Sequence, residues 1–259
     1  MASELNFSYA DQLYKQFGFR AHYPPEKDIR IGDIGILEGN LFRRRDNLKA
    51  LTGISATARV TIKKPGAKDN HYYLASEGKT EVNVKAKGDA GLVHVGLEVS
   101  LTNANSIFFS AANITVQEIE SQIVLGNQIL ELFKEGKWEK EWVLVTAVYI
   151  SRSTLIFGSA NGNSTVLLEA KTDVPSIDLG QADLQLGIKK QSTLEMNIVD
   201  YKDNICLLET ASIKRKGRWP FGKKGFGFTE SNVPTDDELL DRIRSGTQKM
   251  EDHFEFSKG

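Results

Sequence analysis

The chain has 259 residues, 40% of them hydrophobic and 26% charged, with a formal net charge of −1. This is the balance of an ordinary globular protein, and it excludes a generally basic, nucleic-acid-seeking surface. No apolar run approaches the roughly 20 residues of a membrane-spanning helix, so any membrane role must use strands or a surface patch. The single cysteine, Cys206, excludes an internal disulfide and fits a reducing compartment. The opening MASELNFSYADQLYK carries an early acid and no apolar h-region, so no signal peptide is expected.

A helix is expected first, capped by Ser8 and stopped by Gly18, with Tyr9, Leu13 and Phe17 on its apolar face and Lys15 outside. IRIGDIGILEG (29–39) reads as a strand. It leads to a short tip, Asn40-Leu41-Phe42, followed by Arg43, Arg44 and Arg45. TARVTIKK (57–64) is a strand closed by the turn dipeptide Pro65-Gly66.

Two long alternating stretches follow. In the first, Val82, Val84 and Ala86 alternate with polar residues, Gly88 to Gly91 turn, and Val93, Val95, Leu97, Val99 and Leu101 return. In the second, Val166, Leu168, Ala170, Thr172 and Val174 share one side; after Pro175 and Gly180, Ala182, Leu184, Leu186 and Ile188 alternate again. Strict alternation marks strands with one dry and one wet face. Each reads as a hairpin with arms of roughly 9 to 11 residues, the length a tilted strand needs to cross a bilayer. Such arms also occur in soluble sheets with one buried face, and the pattern leaves both readings open.

Between the hairpins, Thr115 and Glu118 have the spacing of a capping box, and Ile119, Ile123, Leu130 and Phe133 recur at helical spacing before Gly136. WVLVTAVYI (142–150) reads as a buried strand. Leu194, Met196 and Ile198 alternate and lead to NICLLETASI. The class is α+β with a mainly antiparallel sheet, because hairpins outnumber βαβ spacings.

Residues 1–213 form the main domain in this reading. Residues 214–234, KRKGRWPFGKKGFGFTESNVP, are a basic, glycine-rich linker. The tail, 235–259, begins with a capping box at Thr235 and Glu238, and Leu239, Leu240 and Ile243 face the body. Residues 230–259 hold eight acids against four bases, so the mildly basic body ends in an acidic tail.

Signs of catalysis are missing. His22, His71, His94 and His253 form no H-x-x-x-H pair, and Cys206 has no neighbouring cysteine, so neither a metal nor another cofactor is expected. GRWPFGKK (217–224) follows a P-loop for seven positions, but Lys224 stands where magnesium needs a hydroxyl. The expected protein is not an enzyme.

DIGILEGNLFRRRDNLKAL (33–51), ILELFKEGKWEKEWVLVTAVYISRSTLIFG (129–158) and ADLQLGIKKQSTLEMNIVDYKDNICLLETASI (182–213) together resemble the gasdermin family in order and spacing. The first is similar to that family's first hairpin, the second to a helix running into two strands, and the third to the end of its pore-forming domain. The resemblance covers roughly residues 8 to 213, and the chain resembles the short microbial and fungal members. It implies a twisted, mainly antiparallel sheet with surrounding helices and two extendable amphipathic hairpins. It also implies acidic phospholipids and further copies of the chain as partners, or a variant partner chain. Nucleic acid is not among them. Leu41 and Phe42 fall at the family's membrane wedge, and Arg43, Arg44 and Arg45, with Lys15, at its acidic-lipid contacts. Val82, Val84, Val93, Val95, Leu97, Val99, Leu101, Val166, Leu168, Ala170, Leu184, Leu186 and Ile188 would enter lipid.

The inactive protein is expected in the cytoplasm and the active one at the plasma membrane. The tail is either a latch released by a protease near Phe226 and Phe228 or an ordinary terminal helix. A soluble interaction module or lipid carrier, with its hairpins permanently buried, is the alternative function.

Overall fold

The computed structural model describes residues 3–25, 28–62, 71–87, 92–170, 174–175, 186–191, 194–200, 202–215 and 235–258. It is an α+β protein with two antiparallel layers. Helix α1 (Glu4–Phe17) starts one turn earlier than expected. Ser3 rather than Ser8 is its cap, accepting from the Asn6 amide at 3.3 Å. Gly18, at φ +75°, ends it, its backbone N–H donating a hydrogen bond to the Tyr14 carbonyl at 2.8 Å.

The spine of the main layer is β8 (Val143–Ser159), longer than the expected 142–150 strand. On one side of it lie β12 (Met196–Asp200) and β13 (Asn204–Arg215), end to end. On the other side lies β7 (Ser106–Ile119), with the start of β1 (Asp33–Glu38) beyond it. Further out, β2 (Leu41–Asn47) pairs with β1, while β3 (Ala58–Ile62) and β4 (His71–Ala75) run along β7.

The expected capping box at Thr115 and Glu118 is a correction. Both residues lie inside β7, opposite Ile150 and Ala147, and Glu118 bonds Arg59 at 2.6 Å. The β-branched run Ile114-Thr115-Val116 has a neighbouring strand on each side, and this pairing overrides the helical spacing. Helix α3 therefore begins only at Gln122 and runs to Lys134, after the short α2 (Leu48–Thr52). Its buried face is Leu125, Gly126, Ile129 and Phe133; Ile123, assigned to that face from spacing, is 81% exposed.

The second layer contains β5 (Thr80–Lys87), β6 (Leu92–Leu101), β9 (Ser164–Ala170), β10 (Val174–Pro175) and β11 (Leu186–Gln191). Its order is β5-β6-β9-β11, with β10 pairing further along β6. Phe108 and Phe157 stack at 5.8 Å between the layers, beside Val99, Leu101, Val166 and Leu168. The opposite face of the main layer, carrying Phe109 and Ile156, receives Leu5, Tyr9 and Leu13 of α1.

The tail folds onto the far end of the main layer. Helix α4 (Asp236–Arg244) has the expected capping box, with both Thr235–Glu238 bonds formed. A short helix α5 (Met250–His253) leads to a strand absent from the sequence reading, β14 (Phe254–Lys258), which pairs with residues 211–215 of β13. The tail is thus not helical throughout, and β14 belongs to the main layer.

Candidate functional site

Three of the expected functional features are brought into view by the fold, and they occupy separate places. The first is the basic strand. Ile34 pairs with Asp46 but Gly35 pairs with Arg44, which makes Arg45 the extra residue of a β-bulge. A bulge re-aims side chains that strict alternation would send to opposite faces. Arg43, Arg44 and Arg45 accordingly line one depression of about 530 Å³ with Asn6, Tyr23, Pro24 and Glu38. Gly35 is required there: a Cβ would stand 2.3 Å from the Arg43 carbonyl and 2.5 Å from the Phe42 ring.

The three arginines differ in their surroundings. Arg43 pairs with Glu38 at 3.2 Å and Arg44 with the fully buried Asp33 at 3.1 Å. Asp33 also accepts from the Arg30 amide and the Asn47 side chain, so Arg44 completes a buried carboxylate's coordination. Arg45 is exposed.

Leu41 and Phe42 require a correction. The turn is Gly39-Asn40, and both apolar residues lie inside β2 with 0% exposure. The strand alternates, so Leu41 enters the core beneath α1 and Phe42 the core on the other face; the segment at Ala21 covers the strand edge, accepting from the Phe42 amide at 2.9 Å. They form no exposed wedge. Lys15 is exposed but lines a different depression, of about 490 Å³, with Asp11, Glu77 and Lys79. The two depressions share α1 as a wall.

The second feature is the pair of hairpins, which the structure joins through β6 and β9. One row across the layer reads Val82, Val99, Val166, and the next reads Val84, Leu97, Leu168, Ile188. Val99, Leu101, Val166 and Leu168 are fully buried, Val82 and Leu97 pack partly against them, but Val84 and Ile188 are 68% and 40% exposed. The apolar stripe thus outruns the core that covers it. Val93, Val95, Ala170 and Leu186 occupy their expected strands; Leu184 lies outside the described residues. On the wet face, Lys189 pairs with Glu169.

The connections between the layers, missed in the sequence, are regular. Strand β4 continues into β5, β6 into β7, β8 into β9, and β11 into β12. The main layer at that end has the order β4-β7-β8-β12, and the second has β5-β6-β9-β11. Corresponding strands occupy corresponding places. Every link is four residues long; 76–79, 102–105 and 160–163 form corners, and of the fourth, 192–195, residues 192 and 193 lie outside the described residues. At one of them Gly162 has φ +75°, and a Cβ would stand 2.8 Å from Asn103 Cα, so two corners meet backbone to backbone. The polar runs SEGK, TNAN and ANGN were the available signal.

The third feature is the docked tail. Leu239, Leu240 and Ile243 are buried against α3, Leu144 and Ile213, as the pattern predicted. Phe256 of β14 lies over Gly126 of α3, where a Cβ would come within 3.1 Å of its ring. Lys258 pairs with Glu209 at 2.7 Å. Phe226 and Phe228 lie outside the described residues.

Among the described residues no helix is long and apolar enough to cross a membrane, which says nothing of strands, and no cluster of three or more histidines, cysteines or acids is placed to hold a metal. No family model and no curated protein matches the chain. Among solved structures, that of a bacterial gasdermin from Bradyrhizobium tropiciagri is similar over 82% of this chain and 87% of that one, at 14% identity and a TM-score of 0.32. A likeness of that degree carries no functional argument.

Proposed function

We propose that the chain is a gasdermin-like pore-forming protein. In this reading it binds acidic phospholipid, assembles with further copies and inserts its two hairpins into a large transmembrane β-barrel, causing lytic cell death in immunity or allorecognition. The observation that carries the reading is the matched strand order of the two layers. Straightening four short corners would merge them into one four-stranded sheet of long strands, with no strand rethreaded.

Solvent decides which form wins. Opening the corners in water would expose Val99, Leu101, Val166 and Leu168, each worth about 1.5–3 kcal/mol when fully buried. In lipid the same side chains regain an apolar surrounding. An open sheet leaves unpaired backbone groups there, so only a closed barrel of many copies is stable. The arginine depression and Lys15 supply attraction to anionic headgroups. The tail acts as a latch, lost by proteolysis near Phe226 and Phe228 or displaced by a partner chain. The inactive form is cytoplasmic and the active form resides in the plasma membrane.

The complete burial of Val99, Leu101, Val166 and Leu168 also favours a second reading, a soluble interaction module or lipid carrier with permanently folded layers. Dye release from vesicles with and without phosphatidylserine separates the two. The pore reading expects release confined to anionic vesicles, from full-length protein or after limited proteolysis. Silence from both preparations favours the soluble module.

A further inference from the structure

The four corners are tied into a single line across the layers. The Thr102 amide donates to the Lys79 carbonyl at 2.8 Å, and the Asn105 amide to the Ala160 carbonyl at 3.3 Å. The Ala160 amide then donates to Glu195 at 3.1 Å. Corner one thus meets corner two, two meets three, and three meets four. Each bond joins neighbouring strands at the bend itself.

One helix side chain holds this line from outside. Ser76, 4% exposed, donates its hydroxyl to Gln12 Oε1 at 2.6 Å, and the same hydroxyl oxygen accepts from the Ile107 amide at 2.8 Å. Gln12 Nε2 lies within donating distance of the Asn105 carbonyl at 3.3 Å and the Ser8 hydroxyl at 3.0 Å. Gln12 therefore bridges corners one and two, and Asn105 extends its hold to corner three. The neighbouring Asp11 accepts from Asn40 at 2.7 Å, in the turn that leads into Arg43, Arg44 and Arg45. A continuous polar path thus runs from the arginine strand, through α1, to the bend between the layers.

We infer that Gln12 is a clasp: it keeps the corners bent, and moving α1 is what frees the second layer to straighten. Its consequence rests on the pore-forming reading, because straightening matters only if the hairpins leave the body. The physical claim stands separately. The bend is held by part-buried hydrogen bonds to a side chain of α1, rather than by the corner backbones alone.

Hydrogen exchange on the full-length chain without lipid tests the clasp. Gln12→Leu removes both the donor and the acceptor while keeping helix propensity. It should speed exchange about tenfold in segments 76–80 and 102–107, the size of one net hydrogen bond. The exposed Gln16→Leu control should leave them unchanged. Ser76→Ala removes the same bond from the other side and should do likewise, which covers the case in which Gln12→Leu does not fold. No difference between Gln12→Leu and Gln16→Leu overturns the clasp. So does acceleration spread evenly over 143–151, which would make α1 merely structural.

A vesicle arm tests the consequence. With phosphatidylserine-containing vesicles, Gln12→Leu should reach half-maximal dye release at several-fold lower protein concentration than wild type, and an unchanged or higher concentration contradicts the clasp as the controlling step. If wild type releases no dye under any condition, the pore reading fails and the exchange result alone decides the clasp.

Discussion

In the main layer, β8 has strands on both sides and packing on both faces: Ala147, Tyr149 and Ile156 sit beneath α1, while Leu155 and Phe157 sit beneath the second layer. Among its described residues, the second layer packs on one face, against Phe108 and Phe157. Its apolar stripe is sealed on the central strands at Val99, Val166 and Leu168 and open on the flanking strands at Val84 and Ile188. The same alternation thus builds a permanent core in one place and a partly covered surface in the other. What differs is the covering, and covering is what a change of solvent can replace.

The contrast is broken most strongly at the shared stack. Phe157→Ala should lower stability by about 3–5 kcal/mol, whereas Val84→Ala should stay within about 0.5 kcal/mol, both read from urea unfolding. Equal losses would mean that the flanking strand β5 is core at Val84 after all. At the other end of the main layer, Gly126→Leu puts bulk where Phe256 now lies and should cost about 1–3 kcal/mol through overpacking. Its particular sign is faster proteolytic cleavage of the tail with the body intact; an unchanged digestion pattern would contradict the seat assigned to Phe256.

Smaller effects sharpen the picture. Thr235→Ala removes the capping box and should destabilise the docked tail by about 1 kcal/mol. Arg45→Ala should weaken binding to phosphatidylserine vesicles by about 1 kcal/mol in a flotation assay, without disturbing the fold. Arg44→Ala is a poorer probe, because it strips a partner from buried Asp33. The smallest effect at neutral pH concerns Cys206, whose thiol burial pushes up to about 12. It should resist iodoacetamide while the chain is folded. The folded state holds this proton longer than the unfolded one, so stability falls as pH rises above about 9, the thiol's ordinary value, and is unaffected near pH 7.

Both hairpins, the α+β class and the apolar docking of α4 were legible, because each is written in local periodicity and capping chemistry. What escaped depended on pairing. Thr115 and Glu118 have helix-start spacing, yet two neighbouring strands claim them. Leu41 and Phe42 look like a tip because Arg43 follows them, yet Ala21, far from them in sequence, covers their strand. The β-bulge that gathers the arginines arises from register, which no single strand reveals. Strand β14 has no long alternating run to announce it; its place is set by the free edge of β13 and the missing side chain of Gly126. The corners were visible as polar runs, but their common length gains meaning only when the two strand orders are laid side by side.

The central claim is that the second layer leaves the body for lipid. Val84→Cys, labelled with an environment-sensitive fluorophore in the full-length chain, reports this directly, because buried Cys206 stays unlabelled. Adding phosphatidylserine vesicles should shift emission to the blue, make it quenchable from within the acyl chains and shield it from aqueous iodide. Emission that stays water-exposed while the same vesicles release their dye would contradict the account.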